Sequence, residues 1–553
     1  MKKQYITRTL GAISLSLLLG LTGCGGPAPY SSGSTPSHSS EDSTPVSSIA
    51  ESSDSSLSGE DSLLISEEPL TLTAHIHNGP TEVLSDDWTI EKEAGRLTNI
   101  YLKGTASVNE TDAVNAFNLM IASKDLPDIV GGPHRVDLMK YGMEGAFIPL
   151  NDLIDEHAPN IRKMLDENPD VEAAITAEDG NIYLIPTLED SQMSQAWFIR
   201  KDWLDKLGLE IPETVDELHD TLLAFVNEDP NGNGQKDEVC FFNRNGGFGQ
   251  DLGGSHSALF SLFGVNLKFH TNSDGKVELG AYTPEMKEAM KNVSQWYNDG
   301  LIDPELFTRG GNARDILFSA NNGGLTHDWY PSCSAYNDKM SGTVPGFELV
   351  GMLPPVDING DQWEQESRAK VTDMGTVISV QNEHPEESIK YLDFWWSEIG
   401  SRLMTYGIEG EHHTMEDGKP VFTDKVMNAD EPINNYMKAL GGQQYQIGHV
   451  NLSEYENFMM SQAGVDVVAQ YKKEGVVDKM NVNLPALSLT AGETEIIQSK
   501  WPVISTYIQE QIQKWTFDGS NIDAEFDKYM NDIKGMGIED VLAAYQAAYD
   551  RSL

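Results

Sequence analysis

A short segment, residues 229–238, carries oxygen-bearing side chains at a spacing that a metal ion can use. Side-chain oxygens stand at relative positions 1, 3, 5 and 9, and a glycine stands at position 6, where the chain must turn sharply. Calcium takes about six to eight oxygen ligands from loops folded this tightly. Position 12 departs from the usual calcium loop, because Cys240 replaces a bidentate glutamate there and Glu238 would have to take its place. The sequence therefore predicts a structural Ca²⁺ site, with an Asn-Gly-rich turn without an ion as the alternative. The predicted ligands are Asp229, Asn231, Asn233, the carbonyl oxygen of Gln235, Asp237 and Glu238.

The N-terminus carries a cysteine placed for lipid attachment. A basic start precedes an apolar run over residues 10–21, which is too short for a permanent membrane helix. The run ends in Leu21-Thr22-Gly23-Cys24, which resembles a lipobox and implies cleavage before Cys24 and a diacylglycerol on its sulfur. Two acyl chains are enough for stable membrane anchoring. We predict a lipoprotein signal peptide over residues 1–23, and the alternative is a plain secretory signal.

Aromatic residues beside a carboxylate indicate a sugar-binding surface. Asp328, Trp329 and Tyr330 follow directly after a short predicted strand. In open α/β folds ligands gather at the carboxyl ends of strands, and sugars favour aromatic platforms edged by carboxylates and amides. We predict Asp328 as a hydroxyl acceptor and Trp329 and Tyr330 as platforms, with Trp88 and Trp197 as further candidates. For any single tryptophan the alternative is packing in the core.

The sequence shows no catalytic constellation. It has no phosphate-cradling glycine loop, no paired-histidine zinc helix and no nucleophile elbow. Glu409, Glu411, His412 and His413 cluster, but adjacent histidines on an extended segment point to opposite faces, which disfavours a shared metal. A glycoside hydrolase needs two carboxylates at a defined separation, for which the sequence gives no evidence. We predict a binding protein and not an enzyme.

Composition excludes some partners and divides the chain. The 553 residues carry a formal net charge of -48, which keeps such a chain away from nucleic acid and anionic lipid surfaces. Residues 24–68 are Ser-rich, acidic and without Lys or Arg, so we predict a disordered tether. The remainder is too long for a single core and should form at least two domains. Cys240 and Cys333 could pair, but we favour two small buried residues.

The folded part alternates between strand and helix patterns. An alternating strand over 70–77 is followed by a helix over 111–122 and a buried strand over 126–130 that leaves through Gly131-Gly132-Pro133. This alternation implies a mostly parallel sheet covered by helices. Further helices are predicted over residues 214–226, 284–297, 499–515 and 522–548.

Residues 179–209, DGNIYLIPTLEDSQMSQAWFIRKDWLDKLGL, combine two short extended runs, a polar connector and an amphipathic helix that ends at Gly208. From spacing alone, this segment either bridges two lobes or lies inside one domain. The order DGNIYLIP, FIRKDWLDKLGL, IPETVDEL resembles the extracellular solute-binding proteins (family 1) of bacterial ABC importers, in the oligosaccharide-binding branch. The pieces SKDLPDIV and GAFIPLNDLI and residues 384–424 resemble the same family, so the resemblance covers nearly everything after about residue 70.

The resemblance implies a two-lobed, periplasmic-binding-protein-like α/β fold of type II, with discontinuous lobes joined by crossover strands. We expect lobe 1 to comprise residues 69–188 and 366–410, and lobe 2 to comprise residues 189–365 and 411–553 with a helical C-terminal part. A matching DPNGNG-x-KDE loop binds calcium in the alginate-oligosaccharide members, which supports the metal prediction.

The same resemblance implies a function. We expect a monomeric, lipid-anchored, extracytoplasmic protein that captures an oligosaccharide between two lobes and closes on it by a hinge motion. The closed form would then deliver the sugar to the transmembrane subunits of an ABC permease. The alternative is a surface glycan-binding adhesion or sensor protein without transport.

Overall fold

The fold is described from a computed structural model of the chain. It describes residues 63–79, 82–244, 249, 251–254, 257–444, 446–477 and 483–553. The predicted signal peptide (1–23), the lipidation site Cys24 and nearly all of the predicted tether (24–68) lie outside these residues. Within the described ranges, no helix is both long enough and apolar enough to cross a membrane.

The described residues form fourteen strands and twenty α-helices. The strands are β1 (Leu70–His75), β2 (Ile100–Gly104), β3 (Ile129–Gly132), β4 (Leu184–Glu189), β5 (Gln195–Arg200), β6 (Val239–Phe242), β7 (Phe269–Thr271), β8 (Val277–Leu279), β9 (Gly323–Trp329), β10 (Leu349–Met352), β11 (Val371–Ile378), β12 (His413–Glu416), β13 (Lys419–Phe422) and β14 (Val450–Asn451). The helices are α1 (Thr89–Thr98), α2 (Ala113–Ser123), α3 (Arg135–Met143), α4 (Asn151–His157), α5 (Pro159–Glu167), α6 (Pro169–Ile175), α7 (Lys201–Leu207), α8 (Val215–Glu228), α9 (Ala258–Ser261), α10 (Met286–Asn298), α11 (Ala313–Ser319), α12 (Ser332–Met340), α13 (Pro385–Phe394), α14 (Glu398–Tyr406), α15 (Asp424–Met427), α16 (Ile433–Ala439), α17 (Gln462–Glu474), α18 (Ala491–Phe517), α19 (Ile522–Met536) and α20 (Ile538–Ser552).

A six-stranded sheet organises one half of the molecule, which we call the first half together with the helices packed on it. Its strand order is β14-β4-β11-β3-β1-β2. Strand β1 pairs in parallel with β2 and β3, and β14 pairs in parallel with β4. Strand β11 runs antiparallel between β3 and β4. The alternation of strands and helices predicted from the sequence is confirmed.

Two glycines that the sequence analysis placed at a strand exit belong to the strand itself. Gly131 and Gly132 are the last residues of β3. A Cβ atom at Gly131 would stand 2.7 Å from the Gln446 Cβ, and one at Gly132 would stand 2.4 Å from a Leu138 methyl carbon. Glycine is needed at both positions because neighbouring chain segments approach the strand too closely for a side chain.

A four-stranded sheet organises the second half, which we define as this sheet with its helices. Its order is β10-β5-β9-β6, with β5 antiparallel to β9 and β10, and β6 parallel to β9. The C-terminal helices α18, α19 and α20 pack into the core of this half. The predicted helix over 522–548 is divided into α19 and α20 by Gly537, whose φ of 94° ends the first of them.

Two crossover segments join the halves and run side by side. Strand β4 ends in the six-stranded sheet at Glu189, and β5 begins in the four-stranded sheet at Gln195. The return crossover, residues 365–370, pairs with the first, because the Arg368 N–H donates to the Gln192 carbonyl at 2.8 Å. The predicted bridging role of residues 179–209 therefore matches the observed path of the chain.

The path after residue 410 differs from the predicted lobe boundary. Residues such as Phe422, Val426 and Tyr455 pack in one hydrophobic cluster with Leu72 and Ile100 of the six-stranded sheet. The chain returns to the second half with α17, whose Val467 packs in another cluster with Phe198 of β5. Sequence patterns did not reveal this late return, because the segment supplies only one two-residue strand to the sheet.

The two cysteines of the folded part are unpaired and buried, as the sequence analysis favoured. The Cys240 thiol donates to the Leu222 carbonyl at 3.3 Å, and the Cys333 thiol donates to the Leu349 carbonyl at 3.2 Å. Burial raises the pKa of Cys333 to about 12. Both side chains therefore act as small buried groups.

Candidate functional site

The predicted metal loop follows directly after helix α8. A capping box of Thr214 and Glu217 starts this helix, and Asp229 ends it with a left-handed φ of 50°. The Asp229 carboxylate then accepts backbone N–H groups from Gly232 at 2.9 Å and from Gly234 at 3.0 Å. These bonds fold the loop tightly around its first predicted ligand.

Asp237 collects the amide side chains of the loop. Its Oδ1 accepts from the Asn231 amide at 3.1 Å and from the Asn233 amide at 2.9 Å. Burial opposes ionisation, but the hydrogen bonds from Asn233 and Asn231 lower the pKa of Asp237. The Gln235 N–H donates to the Asn233 side-chain oxygen at 2.7 Å, so that Gln235 also lies within the folded loop.

Among the described residues Glu238 has no partner for its charge, although the Lys206 ammonium donates to the Pro230 carbonyl of the same loop at 2.7 Å. Both of its carboxylate oxygens are buried and have no hydrogen-bond partner. Burial, together with the charges of Asp237 and Asp229, raises the pKa of Glu238. No cluster of at least three His, Cys, Asp or Glu side chains forms a preassembled metal site in the ranges that the structure describes. The donor set nonetheless fits a hard cation, because three carboxylates lie within one ten-residue loop and the oxygens of one of them, Glu238, have no hydrogen-bond partner among the described residues.

Two of the predicted sugar platforms lie in hydrophobic cores. Trp88 is 3% exposed and packs with the six-stranded sheet, where it also lies against Gly441. Trp197 is 1% exposed and packs against the Phe241 ring, with a centroid distance of 5.9 Å. Because protein side chains cover these rings, neither offers a face to a sugar in this structure.

Asp328, the predicted hydroxyl acceptor, is held by two arginines. Its Oδ1 accepts from Arg244 at 2.9 Å and its Oδ2 accepts from Arg314 at 2.6 Å. The Asp328 side chain has no exposed surface. We call these three residues the Asp328 cluster. Its carboxylate fixes the end of β9 to neighbouring segments, and it is not open to a ligand in this structure.

A second charge cluster lies near the end of β9, beside Tyr330. Its central residue is Arg368 of the return crossover. The Arg368 guanidinium donates to Glu456 at 2.7 Å and lies 3.5 Å from Glu189 at the end of β4. It also stands over the Tyr330 ring, 5.7 Å from its centroid. That ring is 4% exposed, so Tyr330 does not offer the predicted platform to a sugar in this structure. We call Arg368, Glu189 and Glu456 the Arg368 cluster. It ties the two halves together where the chain crosses between them.

One acid of the Arg368 cluster holds its proton. Burial, followed by the charges of Glu189 and Asp190, raises the pKa of Glu456 to about 9, although the side chain of Trp329 opposes this shift. A single guanidinium cannot balance two buried carboxylates, and the pKa of Glu456 is therefore raised even though Arg368 donates to it at 2.7 Å.

A cavity of about 620 Å³ opens beside Arg368. Its wall includes Asp170 of α6 in the first half and Phe269 and Tyr545 in the second, together with residues of both crossovers. The Phe269 and Tyr545 rings are half-buried, and their centroids lie 4.6 Å apart. Its size lies within the range of about 300–1,000 Å³ that small-molecule sites occupy.

The sequence analysis did not identify the cavity residues. Arg368, Phe269 and Tyr545 come from three distant segments, and none belongs to a recognisable motif. Tyr545 also lies on an amphipathic helix, where an aromatic residue ordinarily belongs to the core. The aromatic pair Trp329–Tyr330 was the only sequence signal that led to this region.

The two adjacent histidines of the sequence lie apart from the cavity beside Arg368. His412 and His413 are each 1% exposed. The His412 Nδ1 accepts from the Ile408 N–H at 3.0 Å, and the His413 Nδ1 lies 3.3 Å from the Tyr406 carbonyl oxygen. Burial lowers the pKa of both imidazoles. Their partners are backbone groups, which indicates a structural role.

Similarity to proteins of known sequence shows the family to which the chain belongs. FusA of Streptococcus pneumoniae serotype 4, a fructooligosaccharide ABC transporter substrate-binding protein, is 30% identical over 470 residues, which cover 80% of this chain and 83% of FusA. The lipoprotein LipO of Bacillus subtilis is 26% identical over 346 residues, 61% of this chain and 65% of LipO. No family model matches the chain.

Solved structures confirm the predicted fold. The alginate-binding protein AlgQ2, in a crystal structure without calcium ion, is 36% identical with a TM-score of 0.75, and the match covers 88% of this chain and 99% of AlgQ2. FusA in complex with kestose has a TM-score of 0.67 at 26% identity, and an EF-hand mutant of FusA in complex with fructo-nystose has a TM-score of 0.65. Both FusA matches cover 87% of this chain and 99% of FusA. The chain belongs to the substrate-binding proteins of ABC transporters, in the branch of the oligosaccharide-binding members.

Proposed function

We propose that this protein captures an oligosaccharide in the cavity beside Arg368 and delivers it to the membrane subunits of an ABC permease. The observation that carries the proposal is the composition of the cavity wall, which draws on both halves and both crossovers. A ligand in this cavity contacts both halves at once. Because the ligand binds more tightly when both halves contact it than when only one does, it favours a closed arrangement of the halves. In this proposal the two halves act as the predicted lobes.

The wall has the chemistry that a sugar requires. The half-buried rings of Phe269 and Tyr545 give apolar surface for the C–H faces of a pyranose or furanose ring. Gln192 and Asn483 add side-chain amides that exchange hydrogen bonds with hydroxyl groups. Trp329, which is half-buried at the end of β9, does not line this cavity, but its ring lies 6.4 Å from the Tyr330 ring over which Arg368 stands.

The test is calorimetric binding of an oligosaccharide panel to the purified protein. Tyr545→Ala should weaken the affinity for the bound glycan about tenfold, or about 1.4 kcal/mol, because stacking on a half-buried ring is lost. The melting temperature should change little. Tyr549→Ala, one turn further along α20 and outside the cavity wall, is the matched control.

Trp329→Ala should also lower the affinity with little loss of stability, because the indole is only half-buried before a ligand arrives. A large loss of stability with unchanged affinity would instead place Trp329 among the core residues. Absence of binding to every oligosaccharide of the panel, without any rise in melting temperature, would contradict the proposed function.

We further propose that the loop after α8 holds a structural Ca²⁺. The support is the buried, unpartnered carboxylate of Glu238 beside the oxygen donors of Asp229 and Asp237. The side chains of Asn231 and Asn233 and the carbonyl of Gln235 complete the proposed donor set. When bound, the ion would neutralise these carboxylates and hold the loop at the start of β6.

We also propose that the mature protein is a monomer anchored to the outer face of the cell membrane by lipid at Cys24, with the segment up to residue 68 as its tether. The support is the lipobox-like Leu21-Thr22-Gly23-Cys24 and the similarity to LipO. Cys24→Ala should release the protein from the membrane fraction or stall its processing. Unchanged fractionation and migration would contradict the anchor.

A further inference from the structure

We infer that the oligosaccharide of this cavity is neutral and is not built from uronic acids; the inference rests on the proposed function. The reason is the state of the cations on the wall. Lys268, Arg368 and Lys370 line the cavity, and each already has a carboxylate partner. A uronate would therefore meet no unpaired cation among the described residues of the wall.

Lys268 is committed to Glu366 of the return crossover. The Lys268 ammonium lies 3.1 Å from the Glu366 carboxylate, and the two side chains are only 9% and 12% exposed. The same carboxylate lies 3.3 Å from the Ser257 hydroxyl. Drawing Lys268 away to a ligand would leave a largely buried carboxylate without its cation, which is costly.

Arg368 has its ionic partner in the Glu189 carboxylate at 3.5 Å and donates to the protonated Glu456 at 2.7 Å, two side chains that are 7% and 2% exposed. Its Nη1 makes no hydrogen bond among the described residues. Lys370 pairs with Asp170 at 2.9 Å near the cavity mouth, where both groups are more exposed and water screens their attraction. Each of the three cations of the wall therefore already forms an ion pair with an acidic side chain of the protein itself.

One carboxylate of the wall has no cation beside it among the described residues. Asp251 is exposed, and its Oδ1 accepts only the Gly253 N–H, at 3.0 Å. No ion pair forms at Asp251 among the described residues. Asp251 and Tyr545 line the same cavity, and burial, followed by the charge of Asp251, raises the pKa of the Tyr545 phenol. A free carboxylate beside an aromatic ring suits a hydroxyl donor and repels a uronate.

The experiment compares two glycan classes of matched length by calorimetry. Neutral probes are kestose, nystose and maltotetraose, and charged probes are tri- and tetra-oligogalacturonate and the corresponding oligomannuronates. We expect a neutral probe to bind at least about a hundredfold more tightly than any charged one. Its affinity should change less than about twofold between about 50 mM and 500 mM NaCl, because no ion pair forms with the ligand.

A charge reversal tests the cause of this preference. Asp251→Lys removes the unpaired carboxylate and introduces an unpaired cation, so binding of the charged probes should rise about tenfold or more while binding of the neutral probe weakens. Asp274→Lys is the matched control, because Asp274 is exposed on the β7–β8 turn and outside the cavity wall. Thermal melts of both variants establish that they fold.

The two proposals fail in different ways. A charged probe that binds as tightly as the neutral ones, with an affinity that falls steeply as salt is added, would overturn the neutral-ligand inference and leave the proposed function intact. If the ratio of the affinity for neutral probes to the affinity for charged probes is the same in Asp251→Lys and Asp274→Lys, the Asp251 carboxylate does not cause the preference, and the inference is overturned. If no glycan of either class binds, the proposed function fails and the inference fails with it.

Discussion

The Asp328 cluster and the Arg368 cluster are built from the same groups in opposite proportion. In the first, a fully buried carboxylate is shared by two arginines, Arg244 and Arg314. In the second, one arginine is shared by two nearly buried glutamates, Glu189 and Glu456. The first therefore has an excess of positive charge and the second an excess of negative charge.

The two clusters balance this excess by different means. Arg244 keeps 34% of its side chain exposed, so water stabilises the extra charge of the Asp328 cluster. The acids of the Arg368 cluster have no such exposure, and a proton on Glu456 takes the place of the missing cation. The Asp328 cluster is thus a fixed support inside the second half, whereas the Arg368 cluster, which joins the halves, depends on pH.

The largest expected effect comes from removing the shared carboxylate of the first cluster. Asp328→Ala leaves two arginines without their common partner, and the free energy of unfolding should fall by about 3 kcal/mol or more. Urea denaturation measures the change. Asp315→Ala is the control, because Asp315 pairs with Lys339 at the surface and should cost less than about 1 kcal/mol. Equal losses in the two variants would contradict the supporting role of the Asp328 cluster.

The next effect concerns the proton on Glu456. Its pKa is about 9 in the folded state against an ordinary value of 4.5, so between these limits the folded state binds a proton that the unfolded state releases. This group's contribution to stability is therefore complete below about pH 4.5 and is lost as pH rises toward 9, by at most about 1.4 kcal/mol per pH unit.

Glu456→Gln removes this proton linkage. The variant should melt at a higher temperature than the parent protein at pH 8 and at nearly the same temperature at pH 5. Glu454→Gln, an exposed neighbour two positions away, is the matched control and should not change the pH profile. A Glu456→Gln variant that is less stable than the parent at pH 8 would show that Glu456 is ionised, and the proposed difference between the clusters would disappear.

The sequence predicted the parts of the molecule that are local in the chain. The metal loop lies within ten residues, and helix α8 before it carries its own capping box, so spacing alone located both. The alternation of strands and helices in the first half was equally visible, because periodicity is a local property.

Neither charge cluster could be predicted in this way. Arg368 and Glu456 stand 88 residues apart, and Arg244 and Asp328 stand 84 apart, so only the folded chain brings them together. The tryptophans show the same limit. Trp197 and Trp329 look alike as aromatic residues beside predicted strands, and the strand register puts them on the same face of the sheet, yet Trp197 is buried in the core and Trp329 is half-buried because it lies at the end of its strand.

Glu238 is a third carboxylate with buried oxygens, and among the described residues no arginine or other side chain donates to them. If Ca²⁺ supplies the missing charge, chelation should loosen the loop and lower the melting temperature of the protein. Ca²⁺ at about a hundred times its dissociation constant should then restore about 2.7 kcal/mol of stability. Mg²⁺ should restore less, because it is smaller and demands a regular octahedral shell.

Two variants separate the ion from the loop. Asp229→Ala combined with Asp237→Ala removes two carboxylate ligands and should abolish the calcium response. Glu238→Gln removes the buried charge itself, so the calcium-free protein should become more stable while the calcium response shrinks. Asp357→Ala, in a turn where Asp357 accepts the backbone N–H groups of Asn359 and Asp361, should leave the calcium response intact. A melting curve that is the same in excess chelator and in Ca²⁺, with no metal in the purified protein, would mean that Glu238 carries a proton as Glu456 does, and that the loop is a turn without an ion.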